Sequence, residues 1–261
     1  MSNLKSDLKI ALVQANQTWE DQAANLNHFD ALLQGLSGVD LILLPEMFHT
    51  GFSMHSEQLA ESMESSKGLE WLKSQAASKN AAIYTSLIIR DQERYFNRGV
   101  FVEPTGRIHV YNKRKTFGLA GEDKQYSSGN TEVVVDLYCW RIQLQICYDL
   151  RFPEIVRNRL LPDGSASYDL ILYVANWPER RRLHWQTLLK ARAIENQSYV
   201  VGVNRVGVDG NGLNYAGDSV SIDPLGVEEA LEPFKEEVKI VTVTKETLHQ
   251  ARANLPFLKD I

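Results

Sequence analysis

Cys147 is the residue of this sequence best placed to act as a nucleophile. It follows a predicted strand, residues 142–146, and precedes a polar, proline-containing turn. A strand-to-helix turn exposes its side chain at the carboxyl edge of a sheet and brings backbone N–H groups close to it. A lone cysteine is more often a buried structural residue, so position alone leaves both interpretations open.

Two further kinds of group could assist a thiol. Glu46 follows the apolar segment 41–44, and a partly desolvated carboxylate at the end of a buried strand is suited to proton transfer. The basic loop Lys113–Lys115 follows another strand, where a cation would lower the pKa of a thiol or donate to an oxyanion. Both could also be ordinary surface charges, and the spacing does not say which basic residue points inward.

The elements that would position these groups are short apolar runs alternating with helical patterns. Periodicity predicts strands at 8–15, 39–44, 82–89, 95–103, 142–146, 169–174, 199–204 and 239–243. It predicts helices at 19–36, 68–78, after Pro153 and at 179–196, and turn residues predict hairpins at 104–107 and 223–226. Nearly identical segments at 40–44 and 169–173 suggest a weak internal repeat. We therefore predict one α/β domain over residues 1–261, with mixed sheets.

Composition excludes several classes of function. The acids and bases are intermixed and give a formal charge of -5, without the basic face that nucleic-acid binding needs. The absence of about 18 consecutive apolar residues argues against a membrane span. Two cysteines are too few to stabilise a chain of this length through disulfides, which favours the reducing cytoplasm. Cys139 is interpreted as structural. The six histidines lack the spacing of a zinc site, so no metal is expected.

Three segments resemble the Glu, Lys and Cys motifs of the nitrilase, or carbon-nitrogen hydrolase, superfamily. They are Leu43–Glu46, Tyr111–Phe117 and Gln145–Glu154, in the superfamily's order, and the similarity extends from about residue 8 to residue 243. Lys115 and Thr116 depart from the histidine and leucine of many relatives. The resemblance implies a four-layer αββα sandwich and amide hydrolysis without a cofactor.

Carried over to matching positions, the resemblance implies a role for each residue. Cys147 would be the nucleophile, Glu46 the general base, and Lys113 the group that stabilises the oxyanion and the intermediate. Lys113 is the matching lysine because it stands two residues after Tyr111, the aromatic residue at the strand end. Glu122 would be the additional glutamate that positions substrate and lysine.

Further similarity points to one branch of the superfamily. Segments 176–181, 184–185, 191–197 and 202–207 resemble the bacterial omega-amidases, which hydrolyse 2-oxoglutaramate and 2-oxosuccinamate. These segments could instead be the packed face of a long helix and its neighbours. On the branch interpretation, the backbone N–H of Tyr148 helps to hold the oxyanion, and Phe48, Asn176 and Trp177 line the substrate pocket.

A dicarboxylate monoamide also needs a cation to bind its carboxylate, and the sequence does not rank the candidates Arg151, Arg180 and Arg205. Two other functions remain open: hydrolysis of carbamoyl or aliphatic amides by the same residues, and a catalytically silent protein that binds a metabolite or partner. The resemblance also implies a homodimer formed near residues 153–160 and the C-terminal region.

Overall fold

Two six-stranded sheets form the centre of the protein in a computed structural model that describes residues 5–261. Within these residues the strands are β1 (Asp7–Gln14), β2 (Leu41–Leu43), β3 (Ala82–Asp91), β4 (Arg94–Val102), β5 (Ile108–Asn112), β6 (Val134–Leu137), β7 (Trp140–Ile146), β8 (Leu170–Ala175), β9 (Tyr199–Asn204), β10 (Val206–Val208), β11 (Asn214–Ala216), β12 (Val220–Ile222), β13 (Glu228–Ala230) and β14 (Glu237–Thr244). The α-helices are α1 (Gln22–Leu33), α2 (Ser56–Leu59), α3 (Lys67–Lys79), α4 (Glu122–Gln125), α5 (Arg182–Asn196) and α6 (Lys245–Asn254).

Both sheets are mixed, as the sequence predicts. The first has the order β14-β1-β2-β3-β4-β5 and the second β13-β12-β9-β8-β7-β6, and β10 pairs only with β11 among the described strands. The central strands β1, β2 and β3, and likewise β7, β8 and β9, are parallel, whereas the outer strands are antiparallel. Strands predicted from short apolar runs therefore occupy the buried parallel centres of the sheets.

The layers are helix, sheet, sheet and helix. Helices α1 and α3 pack against one face of the first sheet through residues such as Phe29 and Leu72. The opposite face of that sheet shares a core with the second sheet, which also receives Trp185 and Leu189 of α5. The predicted αββα sandwich of the nitrilase type is confirmed.

The two similar segments occupy equivalent positions. Strands β2 and β8 each lie between two parallel neighbours. Asp40 precedes β2 and accepts a hydrogen bond from the N–H of Lys9, while Asp169 precedes β8 and accepts one from the N–H of Arg141. The repeated sequence thus coincides with a repeated arrangement of strand and carboxylate.

One predicted helix is wrong. After Pro153 the chain makes only a 3-10 turn, Pro153–Ile155, and then runs irregularly to an isolated β-bridge at Leu160. The side chain of Asn158 donates to the carbonyl oxygens of Tyr168 and Asn196, and its backbone N–H donates to the Asn196 side chain. These side-chain bonds satisfy the backbone in place of helical ones.

Other boundaries shift by a few residues. Helix α1 begins at Gln22 rather than at residue 19, because Asp21 caps it by accepting from the N–H of Ala24. The long helix α5 begins at Arg182, after a separate 3-10 turn over Glu179–Arg181. No helix of residues 5–261 is long and apolar enough to cross a membrane.

The topology brings the motif residues to one end of the sheets. Glu46, Cys147 and Asn176 follow the carboxyl ends of the parallel strands β2, β7 and β8. Lys113 follows β5, which is antiparallel to β4 at the side of the first sheet. Residues separated by up to 130 positions in the chain therefore meet where strands end, which is the usual location of ligand sites in α/β proteins.

Candidate active site

A buried lysine joins two buried carboxylates at the bottom of this site. Lys113 Nζ donates to Glu46 Oε1 at 2.9 Å and to both oxygens of Glu122, each at 2.9 Å. All three side chains are at most 1% exposed. The inward-pointing basic residue is Lys113, since Arg114 donates to the Ile155 carbonyl and Lys115 pairs with a surface glutamate.

Asn97 completes this group, and sequence reasoning missed it. Its Nδ2 donates to Glu46 Oε1 at 2.7 Å and to Glu122 Oε1 at 3.1 Å. The amide therefore lies between two carboxylates that would otherwise repel each other. A signal was present, because Asn97 is a polar residue within the largely apolar strand β4, where a buried amide needs a partner.

Charge balance determines the protonation of the buried group. Burial alone would lower the pKa of Lys113, but the charges of Glu122 and Glu46 outweigh burial and raise the pKa above its usual value. Burial raises the pKa of Glu122, with a smaller contribution from Glu46, while Lys113 acts in the opposite direction. Lys113 is thus a permanently charged hydrogen-bond donor at neutral pH.

Cys147 begins a 3-10 helix, Cys147–Arg151, in a strained backbone conformation. Its φ of 43° lies in the left-handed region, which costs a residue with a side chain about 1–3 kcal/mol. Met47, next to Glu46, has a φ of 45°. Strain of this kind persists where the surrounding structure fixes the backbone, and here it occurs at two of the turns that form the site.

The Cys147 thiol is protonated at rest. Burial raises its pKa well above the usual value, Glu46 adds to this effect, and Lys113 opposes it. Its Sγ lies 3.9 Å from the carbonyl oxygen of Asn176, and the N–H of Asn176 donates to Glu46 Oε2 at 2.9 Å. Asn176 therefore lies between the thiol and the carboxylate, and a base is needed to generate the thiolate.

Asp149 connects the loop that carries Lys113 to the loop that carries Cys147. It accepts from the N–H of Ile146 at 3.0 Å, from the Tyr111 hydroxyl at 2.8 Å and from the N–H of Lys115 at 2.9 Å. Burial raises the pKa of Asp149 to about 6, against the effect of these bonds. The carboxylate thereby fixes the relative positions of the two loops.

A pocket of about 330 Å³ opens above these groups. Lys113 and Cys147 lie at its floor, and Tyr148, Asn176 and Trp177 also line it. The walls add Phe52 and Phe117, and the rim carries three arginines at positions 151, 180 and 181. The space suits a small molecule that has an apolar middle and an anionic end.

The sequence and the fold of this chain are similar to those of known proteins. The carbon-nitrogen hydrolase pattern matches residues 9–253. The chain is 49% identical over 219 residues to "Omega-amidase YafV" of Escherichia coli (strain K12), covering 84% of this chain and 82% of that protein. The chain belongs to the carbon-nitrogen hydrolase family. It is also 34% identical to a "2-oxoglutaramate amidase" of Paenarthrobacter nicotinovorans, covering 98% of this chain and 90% of that protein.

A solved structure agrees over almost the whole of this carbon-nitrogen hydrolase. XC1258 from Xanthomonas campestris, described as a CN-hydrolase superfamily protein with an arsenic adduct in the active site, superposes with a TM-score of 0.95. The two sequences are 42% identical, and the similarity covers 98% of each chain. Together with the relatives, this shows that the protein is an enzyme of the carbon-nitrogen hydrolase family.

Two predicted pocket residues of this carbon-nitrogen hydrolase lie elsewhere. Phe48 is fully buried between Phe29 and Trp71 in the core beneath α1 and α3, so the prediction that it contacts substrate is wrong. Arg205 is also fully buried, and its guanidinium donates to the carbonyl oxygens of Gln17, Val206 and Val208. These bonds occupy Nε and Nη2, and Arg205 does not line the pocket, so it is not placed to bind a substrate carboxylate there.

Arg181 is the pocket arginine that the sequence did not single out. It adjoins Arg180 in the turn before α5, and its half-buried side chain lines the pocket. In a run of three arginines, the sequence does not reveal which side chain points inward. The next residue, Arg182, points away and pairs with Asp218 through two hydrogen bonds.

Proposed function

We propose that this enzyme hydrolyses the amide group of small 2-oxo dicarboxylate monoamides such as 2-oxoglutaramate and 2-oxosuccinamate. The products would be ammonia and the 2-oxo dicarboxylate. The observation that carries the proposal is one small pocket with Cys147 and Lys113 at its floor and arginines at its rim. The names of the omega-amidase and 2-oxoglutaramate amidase relatives support the same substrate class.

The reaction begins with attack of the Cys147 sulfur on the amide carbon. Glu46 takes the thiol proton, and Oε2 is the oxygen to receive it. Glu46 Oε1 already accepts two bonds, from Lys113 and Asn97, whereas Oε2 accepts one, from Asn176. One lone pair of Oε2 is therefore free for the proton. Catalytic hydrogen bonds are often long before substrate binds. Here the Cys147 Sγ makes only the 3.9 Å contact with the carbonyl oxygen of Asn176.

Attack places a negative charge on the former carbonyl oxygen. Lys113 Nζ and the backbone N–H of Tyr148 stabilise this oxyanion, since Tyr148 is the second residue of the 3-10 helix that Cys147 begins. Glu122 already accepts four hydrogen bonds, from Lys113, Asn97 and the N–H of Phe117. We therefore assign to Glu122 the orientation of Lys113 and not a proton transfer.

Collapse of the intermediate breaks the carbon-nitrogen bond. Glu46 returns its proton to the departing nitrogen, which leaves as ammonia, and the acyl group remains on Cys147 as a thioester. Glu46 then removes a proton from water, whose oxygen attacks the thioester carbon. The carbon-sulfur bond breaks, the proton returns to the Cys147 sulfur, and the carboxylic acid product is released.

Selection for a 2-oxo group over an amino group follows from the walls of the pocket. An amino group is cationic at neutral pH and would meet arginines at the rim and the rings of Phe52, Phe117 and Trp177 along the wall. Asp209 also lines the pocket, but the Tyr215 hydroxyl and two backbone N–H groups that donate to it hold its carboxylate toward its own loop. A 2-oxo acid carries no such cation.

The experiment is a comparison of kcat/KM for ammonia release from 2-oxoglutaramate and glutamine in one preparation. We expect 2-oxoglutaramate to be strongly preferred over glutamine and asparagine. Equal values, or a preference for glutamine, would contradict the proposed substrate class while leaving the cysteine mechanism intact. Higher activity on carbamoyl or simple aliphatic amides would favour another amidase of the family, and background rates on every amide would favour a silent binding protein.

We further propose that the enzyme is cytoplasmic and works as a homodimer. Both cysteines are free, which is compatible with a reducing compartment. Leu160, Leu255 and Phe257 are exposed apolar side chains in the two regions where the resemblance implies a dimer contact. Light scattering should give twice the chain mass of 29.6 kDa, and a monomer at assay concentration would contradict this assignment.

A further inference from the structure

Arg181 stands out among the arginines of the pocket because, within residues 5–261, its half-buried guanidinium has neither an anionic partner nor a side-chain hydrogen bond. The group lies over the ring of Phe117, 5.0 Å from its centre, and the Arg181 backbone is fixed by a 2.8 Å hydrogen bond from Trp177 Nε1 to its carbonyl oxygen. Within residues 5–261, no carboxylate lies within ion-pair distance of it. The adjacent Arg182, in contrast, is held in a two-bond pair by Asp218.

The other two pocket arginines are in different situations. Arg151 lies over the ring of Trp177, 4.8 Å from its centre, and its Nη2 is 3.0 Å from His184 Nδ1. Arg180 is exposed, so water satisfies its guanidinium and screens its charge. Arg151 is half-buried as well, but one of its nitrogens is occupied by His184, whereas all the donors of Arg181 remain available toward the pocket.

The surroundings of Arg181 are electrostatically unfavourable to a cation. Burial lowers the pKa of its guanidinium, and the neighbouring charges of Arg180 and Arg151 lower it further. A guanidinium nevertheless keeps its proton at any ordinary pH. A half-buried charge without a partner costs free energy, and a bound anion would offset this cost with charge-assisted hydrogen bonds.

We propose that the Arg181 guanidinium binds the substrate carboxylate remote from the scissile amide and so makes the enzyme selective for anionic amides. This inference rests on the proposed function, because it assumes that the amide carbon lies at Cys147. With the amide at the floor and the carboxylate at Arg181, the short carbon chain between them packs along Phe117 and Trp177. A neutral amide of the same length leaves Arg181 without a partner in a desolvated pocket.

Two substrates that differ only in this charge provide the test. In 4-oxopentanamide a methyl group replaces the carboxylate of 2-oxoglutaramate, while the ketone and the amide are kept. The preference for 2-oxoglutaramate over 4-oxopentanamide is measured as a ratio of kcat/KM in wild type, Arg181→Gln and the matched control Arg180→Gln. A hydrogen bond to a charged group contributes about 1.5–3 kcal/mol, which corresponds to about 10- to 100-fold.

We expect Arg181→Gln to lose about 10- to 100-fold of this preference, mainly through a higher KM for 2-oxoglutaramate. Arg180→Gln should change the ratio little. Arg181→Lys should recover part of the preference, because a lysine restores the charge but not the two-pronged geometry. An unchanged ratio in Arg181→Gln, an equal loss on both substrates, or a larger loss in Arg180→Gln would overturn the inference.

A binding measurement separates this inference from the proposed function. If wild type released ammonia from neither amide, the proposed function would fail. Calorimetric binding of the dicarboxylate 2-oxoglutarate would still examine Arg181 directly. Binding to wild type that is weakened about 10-fold or more in Arg181→Gln supports the inference. Equal binding by both proteins, or no binding by wild type, overturns it.

Discussion

The charged groups at the floor of the pocket are paired within the protein, whereas those at the rim are not. At the floor, defined here as Glu46, Asn97, Lys113, Glu122 and Cys147, each charged side chain has its partners within the protein. At the rim, defined as Arg151, Arg180 and Arg181, the charges are all positive and no carboxylate pairs with them in the described structure. A self-sufficient floor suits chemistry common to many amides, whereas an incomplete rim suits recognition of one kind of ligand.

The largest effect is expected from Cys147→Ala. Removing the proposed nucleophile at the floor should lower kcat by several orders of magnitude while the protein remains folded. Ammonia release and thermal unfolding of the same preparation measure the two properties. Cys139→Ala is the matched control, since Cys139 lies outside the pocket, and it should keep near-normal activity. Normal turnover by a folded Cys147→Ala protein would show that the floor is not where the chemistry occurs.

Lys113→Ala should lower kcat by about 10²–10³ because the oxyanion loses its charged donor. It should also lower the melting temperature, since two buried carboxylates lose the cation between them. Lys115→Ala removes a half-exposed lysine two residues away and should keep substantial activity. If Lys115→Ala were the inactive variant, the account of the floor would be wrong.

Substitutions of Asn97 can distinguish a residue that positions the two carboxylates from one that only fills space. Asn97→Ala removes the donor shared by Glu46 and Glu122 and should lower kcat about 10- to 100-fold with little change in KM. Asn97→Asp has nearly the same shape but adds a third carboxylate, so it should be the more damaged of the two. Near-normal kcat for Asn97→Asp would mean that Asn97 only fills space.

The smallest effect concerns the rim and needs no substitution. Salt screens partly exposed charges far more than buried ones, since the Debye length falls from about 30 Å at 0.01 M to about 3 Å at 1 M. Over that range the KM for 2-oxoglutaramate should rise about two- to fivefold, while that for 4-oxopentanamide stays constant. Equal salt dependence for both amides would remove the distinction between floor and rim.

The sequence predicted the floor better than the rim. Glu46, Lys113 and Cys147 stand at strand ends within motifs, and strand ends of a parallel core are brought together by the topology itself. Asn97 was missed because its partners come from other elements, 51 and 25 residues away. Motif resemblance made most of the floor predictable, whereas the local signal for Asn97, a polar residue in a largely apolar strand, does not identify its partners.

The incorrect predictions for Phe48 and Arg205, and the failure to single out Arg181, have the same physical origin. Arg205 and Arg181 each follow a polar or basic neighbour near a strand or helix end, yet Arg205 is fully buried outside the pocket lining and Arg181 lines the pocket. Phe48 lies two residues from Glu46 but packs into the core on the opposite side of the first sheet. The direction of a side chain in a turn depends on the local backbone, such as the left-handed conformation of Met47 between them.

Identification of the acyl-enzyme tests the central claim most directly. The reaction with 2-oxoglutaramate is quenched in acid at successive times within the first turnover, and the digested protein is analysed by mass spectrometry. We predict that the acyl group appears on the peptide containing Cys147, at the same time as the first ammonia and before the carboxylate product. An acyl group on any other residue, or carboxylate formed in step with ammonia without an acylated peptide, would contradict the account.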